Sequence, residues 1–232
     1  MIKVEINEVM GIHSAMQGMR NPLDSWKKGD TIYSEEIMCD FEGCSSFDND
    51  TIMSGVFVGE HDKALARKLI DAGPSHRKFM RQIFVSMNIK APLYWWKEFD
   101  TYKVGTTANS CSTMHTITNK EFTIDDFSHD KMLLGVQRAL EDIVWHLNTL
   151  RTKYLDEENP DIKKKYWYSI IQLLPSSYNQ LRTVTMSYEN LRNMYELRKN
   201  HKLDEWREFC KVVELLPYSN WITDKKEDES ND

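Results

Sequence analysis

The sequence has little cysteine, glycine and proline, and each shortage excludes a class of protein. Four cysteines, nine glycines and six prolines in 232 residues exclude a disulfide-dense scaffold, a collagen-like repeat and a low-complexity chain. No stretch approaches the roughly 18 consecutive apolar residues that a membrane-spanning helix needs, so we expect no contact with a membrane. The N-terminal residues also lack the apolar core of a secretory signal, which predicts a cytoplasmic protein.

An excess of positive charge is absent too. Thirty Lys and Arg against 36 Asp and Glu give a net charge of −6, so no global positive field attracts a nucleic-acid polymer. Half of the negative surplus lies in residues 224–232, which hold five acids and two lysines. We predict that this tail is disordered, because it has no apolar residue to offset the entropy of ordering.

The usual catalytic and metal-binding motifs are missing. The four-residue gap between Cys39 and Cys44 does not match the spacing of zinc ligands, and the sequence has no second cysteine pair that could complete a zinc site. No histidine has another at i+3 or i+4, and no dinucleotide, phosphate-loop or hydrolase motif occurs. We therefore predict no metal, free thiols in a reducing compartment, and no assigned catalytic residue; a nucleophilic pair of Cys111 and His115 is a weaker alternative.

What the chain does have is helical periodicity with a few strands. Period-two alternation predicts strands over residues 2–9 and 83–89, and the hydroxyl-rich segment 104–113 is predicted to be a loop. Apolar residues spaced 3,4,3,4 between Leu133 and Tyr154 predict a long helix packed in a bundle, with a coiled-coil partner as the alternative. Further helices are predicted over 62–72 and 93–100, and two more after Pro175. No linker divides the chain, so we predict a single α+β domain over residues 1–223, a small mixed or antiparallel sheet packed with long helices.

Aromatic and polar residues are concentrated between His76 and His115. This segment contains the run Tyr94-Trp-Trp-Lys-Glu98, several cations and many hydroxyls. Stacking rings beside cations and hydroxyls suit a flat, phosphorylated heteroaromatic ligand. A tryptophan-rich core with charges on its rim explains the same composition and is the alternative.

Short motifs in this order resemble the flavin-dependent thymidylate synthases. Gly73 ends a helix and His76 follows where that family has a flavin-side histidine; the strand closes with Asn88-Ile-Lys-Ala-Pro92, and a helix follows in step. Near the C-terminus, Leu173-Leu-Pro175 and Asn193-x-x-x-Leu197-Arg198 resemble the family's Leu-Pro turn and Asn-x-x-x-Leu-Arg helix. The resemblance covers most of residues 2–216 and implies the synthase fold.

The resemblance also implies a chemistry and a set of site residues. Family members are homotetramers in which FAD, with NADPH as the reductant, supplies hydride while a methylene group passes from methylene-tetrahydrofolate to dUMP. The flavin-binding residues that it implies here are His76, Lys103, Asn193 and Arg198. The nucleotide-binding residues that it implies are Glu98, Asn109, Ser110, Cys111, Ser112 and Arg182.

The departures from the family lie in its most polar motifs. Its Arg-His-Arg box becomes Thr101-Tyr102-Lys103, its loop serine and arginine become Cys111 and Thr113, and Ile171 stands where it has a nucleotide-binding arginine. Each lost charge-assisted bond is worth about 1.5–3 kcal/mol, and Lys103, Arg77 and Arg81 are the cations available to replace them. A non-catalytic homo-oligomer of the same fold, which binds nucleotide or flavin or serves as an interaction protein, is therefore the alternative function.

Overall fold

The strands of the protein form two sheets. The computed structural model describes residues 2–33 and 49–224, and six strands occur in them: β1 (Lys3–Met10), β2 (Ile32–Tyr33), β3 (Val56–Phe57), β4 (Phe84–Pro92), β5 (Thr106–Ser110) and β6 (Asn179–Ser187). Four of them form a small antiparallel sheet in the order β1-β4-β6-β5. The other two pair with each other, Ile32 opposite Phe57 and Tyr33 opposite Val56.

Helices contribute more than half of the structure. In chain order they are α1 (Ile12–Arg20), α2 (Asn49–Ser54), α3 (Glu60–Asp71), α4 (Leu93–Phe99), α5 (Thr113–Thr116), α6 (Leu134–Asp156), α7 (Pro160–Leu173), α8 (Tyr188–Arg198), α9 (Asp204–Val213) and α10 (Asn220–Thr223). The predicted α+β class, with a small antiparallel sheet and long helices, is confirmed. None of the helices in the described ranges is long and apolar enough to cross a membrane.

The chain divides into two compact units, and the boundary between them falls within β1, β4, β5 and β6. The hairpin unit comprises residues 1–3, 89–101 and 109–183, and the terminal unit comprises residues 4–88, 102–108 and 184–232. The predicted tail begins at Asp224, whose carboxylate is ion-paired with Arg192 and Arg67; residues 225–232 lie outside the described part of the chain.

The hairpin unit is organised by the pair of helices α6 and α7. The Asn159 side chain accepts hydrogen bonds from the backbone amides of Asp161 and Ile162, at 3.0 and 3.4 Å, and Pro160 occupies the first turn. This capping lets α7 begin after a connection of only three residues, 157–159. The core between the helices and the preceding loops consists of Ile117, Phe122, Phe127, Leu140, Leu147 and Ile170.

A charged turn leads into this core. Asp126 closes a capping box with Thr123 and accepts a hydrogen bond from Lys120 Nζ at 2.6 Å. Burial opposes ionisation of this carboxyl, but the bonds from Lys120 and Thr123 outweigh it and lower the pKa of Asp126. The acid is therefore charged at neutral pH and holds the turn closed.

The apolar seam predicted for residues 133–154 is buried over only part of its length. Leu140 and Leu147 are in the core, but Leu133 and Val136 are 78% and 51% exposed. Trp145 and Leu155 on the same helix, and Ile162 and Tyr168 on α7, are exposed as well. A long helix is confirmed, and several apolar side chains of α6 and α7 remain exposed; we call these exposed residues together the hairpin surface.

The terminal unit is held by a tryptophan-rich core and by buried ion pairs. Trp206, Phe209, Tyr188 and Trp221 are almost fully buried, and the Tyr188 hydroxyl donates a hydrogen bond to the carbonyl of Pro217 at 2.5 Å. Two arginine–carboxylate pairs, Arg20–Asp62 and Arg77–Glu189, lie in the interior of this unit. A buried arginine needs such a partner, because its charge cannot be left unpaired away from water.

Two glycines in this unit are required by backbone geometry. Gly11 joins β1 to α1 with a φ of +86°, and a Cβ there would lie 2.2 Å from the carbonyl oxygen of Gln82. Gly73, with a φ of +100°, follows the end of α3 in the left-handed conformation that only glycine adopts without strain. The position predicted for this helix-ending glycine is therefore correct.

Two predictions about local structure are wrong. Residues 106–110 of the expected loop form strand β5, and the stretch after Pro175, expected to contain only helices, contains strand β6. In β6 the apolar residues Val184 and Met186 are buried and alternate with threonines, which is a strand pattern. The polar run over residues 45–50 predicts a loop; most of it lies outside the described residues, and its last two residues, Asn49 and Asp50, begin α2.

Candidate functional site

The centre of the candidate nucleotide site in the hairpin unit is Arg182. Its side chain is only 15% exposed; Nε donates to Gln180 Oε1 at 3.0 Å and Nη1 donates to Asp100 Oδ1 at 2.7 Å. The guanidinium lies over the Trp96 ring, 4.2 Å from its centroid, which is a stacked cation–π arrangement. Nη2 has no hydrogen-bond partner among the described residues, so this donor is available to a ligand.

Local structure explains why these groups meet. Gln180 and Arg182 are two residues apart on β6, and side chains at that spacing share one face of a strand. Trp96 and Asp100 are four residues apart, one on α4 and the other directly after it, so they project from the same side of a helical turn. Trp96 Nε1 also donates to the backbone carbonyl of Gln180 at 3.0 Å, which ties the helix to the strand.

Gln180 also holds the segment that follows β5. Its Nε2 donates to the Cys111 carbonyl at 3.0 Å and to Thr113 Oγ1 at 3.2 Å, and the Cys111 amide donates to the Leu181 carbonyl at 2.9 Å. Cys111 and Arg182 are therefore brought together through one glutamine. We call Trp96, Asp100, Cys111, Gln180 and Arg182 the Arg182 cluster.

The other predicted nucleotide residues lie on the same two segments. Asn109 and Ser110 end β5 and are exposed, and Ser112, half-buried, precedes α5. The Ser112 carbonyl accepts a hydrogen bond from Thr116 Oγ1 at 2.8 Å, which starts that short helix. Glu98 is half-buried on α4, and its backbone carbonyl accepts from Thr101 Oγ1 at 2.7 Å.

Three residues of the Arg182 cluster were not among the candidates from sequence. Trp96 and Asp100 belong to the aromatic and charged segment between His76 and His115, but nothing in the sequence distinguishes them from their neighbours. Gln180 can be predicted as a site residue only if residues 179–187 are known to form a strand. The two-residue spacing then places its side chain on the same face as that of Arg182.

The flavin-binding candidates lie in the terminal unit, at several separate places. Arg198, at the end of α8, donates from Nε to the Tyr102 hydroxyl at 2.8 Å, and its guanidinium lies over the rings of Trp206 and Tyr102 at 4.8 and 5.5 Å. Tyr102 is the middle residue of the segment that departs from the family's Arg-His-Arg box. Lys103 and Asn193 are exposed.

His76 lies in the turn after α3 and lines a cavity of about 700 Å³, the His76 cavity. Lys78 and Arg81 line the same cavity beside the apolar side chains of Leu65 and Leu69. Arg77 does not serve it, because its guanidinium is buried and donates to Glu189 Oε2 at 3.0 Å. Of the three cations considered as replacements, Arg81 lines the cavity, Lys103 is exposed and Arg77 is committed to an internal ion pair.

The two thiols in the described residues have opposite environments. Cys210 is buried on α9, and burial, reinforced by the nearby Glu214 carboxylate, raises its pKa to about 12. Cys111 is exposed, with Sγ 3.7 Å from Thr116 Oγ1. No cluster of three potential metal ligands is found in the part of the chain that the structure describes.

This difference predicts which thiol a disulfide reagent modifies. In a Cys39→Ser/Cys44→Ser background at pH 8, we expect one thiol to react within minutes and the second only after denaturation, since a buried thiol with a raised pKa is neither accessible nor ionised. Adding Cys111→Ser should abolish the fast reaction, whereas adding Cys210→Ser should leave it unchanged. A fast reaction that survives Cys111→Ser would contradict the placement of this residue.

Solved structures of similar fold exist. A crystal structure of thymidylate synthase X (ThyX) from Helicobacter pylori with FAD and dUMP covers 96% of this chain with 97% of its own, at a TM-score of 0.66 and 16% identity. A second structure of that flavin-dependent enzyme, complexed with FAD and dUMP, covers 95% with 97% of its own, at a TM-score of 0.66 and 17% identity. The chain shares the ThyX fold.

Sequence comparison adds nothing to this likeness. No protein-family model matches the sequence, and no curated protein is similar to it. The fold implied by the short motifs is confirmed over nearly the whole chain, whereas FAD and dUMP are ligands of the Helicobacter pylori protein. The roles of the candidate residues in this chain remain predictions.

Proposed function

We propose that the protein is a flavin-dependent enzyme of the thymidylate synthase type, which methylates a pyrimidine nucleotide, dUMP or a relative. The observation that carries the proposal is the Arg182 guanidinium, held over Trp96 with Nη2 open to a ligand. An arginine oriented by a carboxylate and an amide is prepared to bind a phosphate or a base carbonyl. The ThyX fold supplies the expectation of the reaction.

In this proposal the Arg182 cluster binds the nucleotide. Arg182 donates to the anionic part of the ligand, and Gln180 holds Cys111 and Thr113, which flank Ser112, through two hydrogen bonds. Asn109, Ser110 and Ser112 offer amide and hydroxyl groups along the same segment, and Glu98 is the acceptor for an N–H of the base. These groups bind and orient the nucleotide, and no side chain of the chain is assigned as a nucleophile.

The terminal unit contains groups that fit FAD. The His76 cavity combines apolar walls for a flat ring system with two cations, Lys78 and Arg81, for the pyrophosphate. Arg198, which lies against the rings of Tyr102 and Trp206, adds a further cation with a fixed orientation, and Asn193 and Lys103 are exposed polar groups of the same unit. When bound, FAD would supply the hydride, with NADPH as its reductant and methylene-tetrahydrofolate as the carbon donor.

A non-catalytic homo-oligomer that binds nucleotide or flavin is the second candidate. Two observations favour it: Asp100 already occupies Nη1 of Arg182, and Tyr102 binds Arg198 within an aromatic cluster. In both arrangements another side chain of the protein already binds an arginine. A more basic site would leave that arginine available to bind phosphate.

We also propose that the protein is a homotetramer. The hairpin surface carries Leu133, Val136 and Trp145, the last of them 64% exposed. Several large apolar side chains on one pair of helices are unusual on a monomer and typical of a subunit interface. Mass measurement in solution tests the assembly, and Trp145→Glu should lower the oligomer number if this surface forms the contact.

Flavin binding and turnover separate the two candidate functions. The purified full-length protein should be yellow or should take up added FAD, and it should release tritium from [5-³H]dUMP when methylene-tetrahydrofolate and NADPH are present. Arg198→Met should weaken FAD binding about tenfold or more, since it removes a charged donor worth about 1.5–3 kcal/mol. Lys153→Met on exposed α6 is the matched control.

The possible results distinguish the enzyme from the non-catalytic candidate. Flavin binding with tritium release supports the enzyme. Flavin binding without release, on dUMP and on other pyrimidine nucleotides, supports the non-catalytic candidate. A colourless protein that takes up no FAD overturns the flavin-dependent proposal.

A further inference from the structure

The side of α6 that faces away from the core carries an exposed tryptophan. Leu140 and Leu147 belong to the core of the hairpin unit, whereas Trp145, on the opposite side of the helix, is 64% exposed. Its ring contacts that of His146, with 4.8 Å between the centroids, and both side chains remain exposed. Because tryptophan is enriched in subunit interfaces relative to other surface, this side of α6 is a candidate contact surface.

Four charged side chains lie on the same side of α6 as Trp145. Arg138, Asp142, Lys153 and Asp156 are exposed, and none of them has an ion-pair partner in the described part of the chain. Arg138 and Asp156 are 18 residues apart, which is five full turns of an α-helix, and Asp142 and Lys153 are 11 residues apart, close to three turns. These five residues therefore share one face of the helix, which we call the Trp145 face.

The order of the charges makes the Trp145 face complementary to itself. From the N-terminal end the signs are positive, negative, positive and negative, and the midpoints of the outer and inner pairs both lie at Leu147 or within half a residue of it. A second copy of α6 that crosses antiparallel at Leu147 would therefore present Asp156 to Arg138 and Lys153 to Asp142. Two-fold symmetry forms each of these ion pairs twice.

Other arrangements of two α6 helices lack this match. A parallel copy would place each charged residue opposite the same residue, which is repulsive at every position. Moving the antiparallel copy by one helical turn brings Asp142 against Asp156 in one direction and Arg138 against Thr152 in the other. The charges therefore select one direction and one register, as interhelical ion pairs do in coiled coils.

We propose that α6 pairs antiparallel with α6 of a second copy of this chain and crosses it at Leu147. The pairing rests on the proposed homotetramer and identifies one of its subunit contacts. The Trp145 ring then packs beside Thr149 of the other copy and is removed from water. Glu141, the remaining acid on this side of α6, lies opposite Thr152 and meets no like charge. The ion pairs determine partner and register more than affinity.

Charge reversal at the two ends of the Trp145 face tests the register. Arg138→Asp places acid against acid at both outer pairs, and Asp156→Arg places arginine against arginine. In sedimentation equilibrium of the full-length protein, we expect each variant to have an association constant lower by about tenfold or more, since like charges in contact repel. An equimolar mixture of the two variants should associate within about threefold of the wild type, because every outer pair of the mixed dimer again joins opposite charges.

Three further variants are controls. Lys165→Asp reverses a charge at an exposed position of α7 and should leave self-association unchanged. Arg138→Met and Lys153→Met should each weaken it by no more than about threefold, since losing an exposed ion pair without creating a repulsion costs little. Circular dichroism of every variant checks that the helices are retained.

The outcomes separate this pairing from the assembly as a whole. A monomeric wild-type protein overturns both the homotetramer and the pairing. An oligomer that neither charge reversal weakens, or that Lys165→Asp weakens as strongly, overturns the pairing and leaves the assembly to another surface. Loss of association that mixing the two variants does not restore overturns the antiparallel register.

Discussion

Replacing Arg182 with methionine should lower the affinity for dUMP by about 10- to 100-fold. The substitution keeps much of the apolar contact with Trp96 but removes every N–H donor, and a charge-assisted hydrogen bond contributes about 1.5–3 kcal/mol, where 1.4 kcal/mol is a factor of ten. Lysine should restore only part of the affinity, because it lacks the planar fork that lies over Trp96. Isothermal titration of each variant with dUMP measures the effect.

The control for this experiment is Arg138→Met on α6. Arg138 is exposed, so the two variants lose the same charge at different places. If both lose dUMP affinity equally, the effect comes from net charge and not from the Arg182 cluster. If neither loses affinity, the nucleotide does not bind where we propose.

The largest effect on stability is expected when the buried pair Arg77–Glu189 is broken. Both side chains are about nine-tenths buried, and Arg77→Met would leave the Glu189 carboxylate without its partner. Removing one member of a buried ion pair typically costs about 3–5 kcal/mol, since the remaining charge is uncompensated. Urea denaturation followed by tryptophan fluorescence should show this loss in the free energy of unfolding.

A double variant isolates the cause. Arg77→Met/Glu189→Leu should recover a large part of the loss, because no buried charge remains. Lys211→Met, which breaks the exposed pair Lys211–Glu208, should cost about 1 kcal/mol or less. If the double variant is no more stable than Arg77→Met, packing of the long side chain is responsible and the electrostatic explanation fails.

The parts of the fold that the sequence predicts are those where local and tertiary signals agree. In β4 the alternation of Val85, Met87 and Ile89 with more polar residues matches the buried face, and Pro92 marks the start of α4. The sequence predicts the end of α3 at Gly73, because glycine is the residue that adopts a positive φ after a helix without strain.

The parts that were missed depend on pairing between distant segments. Residues 106–110 are small and polar, with no apolar face, and they become a strand by lying at the edge of the sheet beside β6. Strand β6 itself contains Gln180 and Arg182 at positions where a buried strand would have apolar residues. Strand propensity is set by such context as much as by the residue type.

In the candidate site, too, some residues are predictable from sequence and others depend on contacts between distant segments. The resemblance indicates Arg182 and Cys111, and the structure joins them through Gln180, a residue that no sequence pattern marks. Conversely, the sequence predicts Arg77 to be a cation available to the site, but its side chain is buried and is neutralised by Glu189. Sequence order gives the position of a charged residue along the chain, not the direction of its side chain.

The hairpin surface has a consequence for how this protein must be handled. If Leu133, Val136 and Trp145 are covered by another copy, the burial of these side chains occurs only on association, and mass action makes the unfolding midpoint rise with chain concentration. Melting curves recorded at micromolar concentration would then understate the stability at higher concentration. Dilution, rather than heat or denaturant, would be the mildest way to weaken the fold.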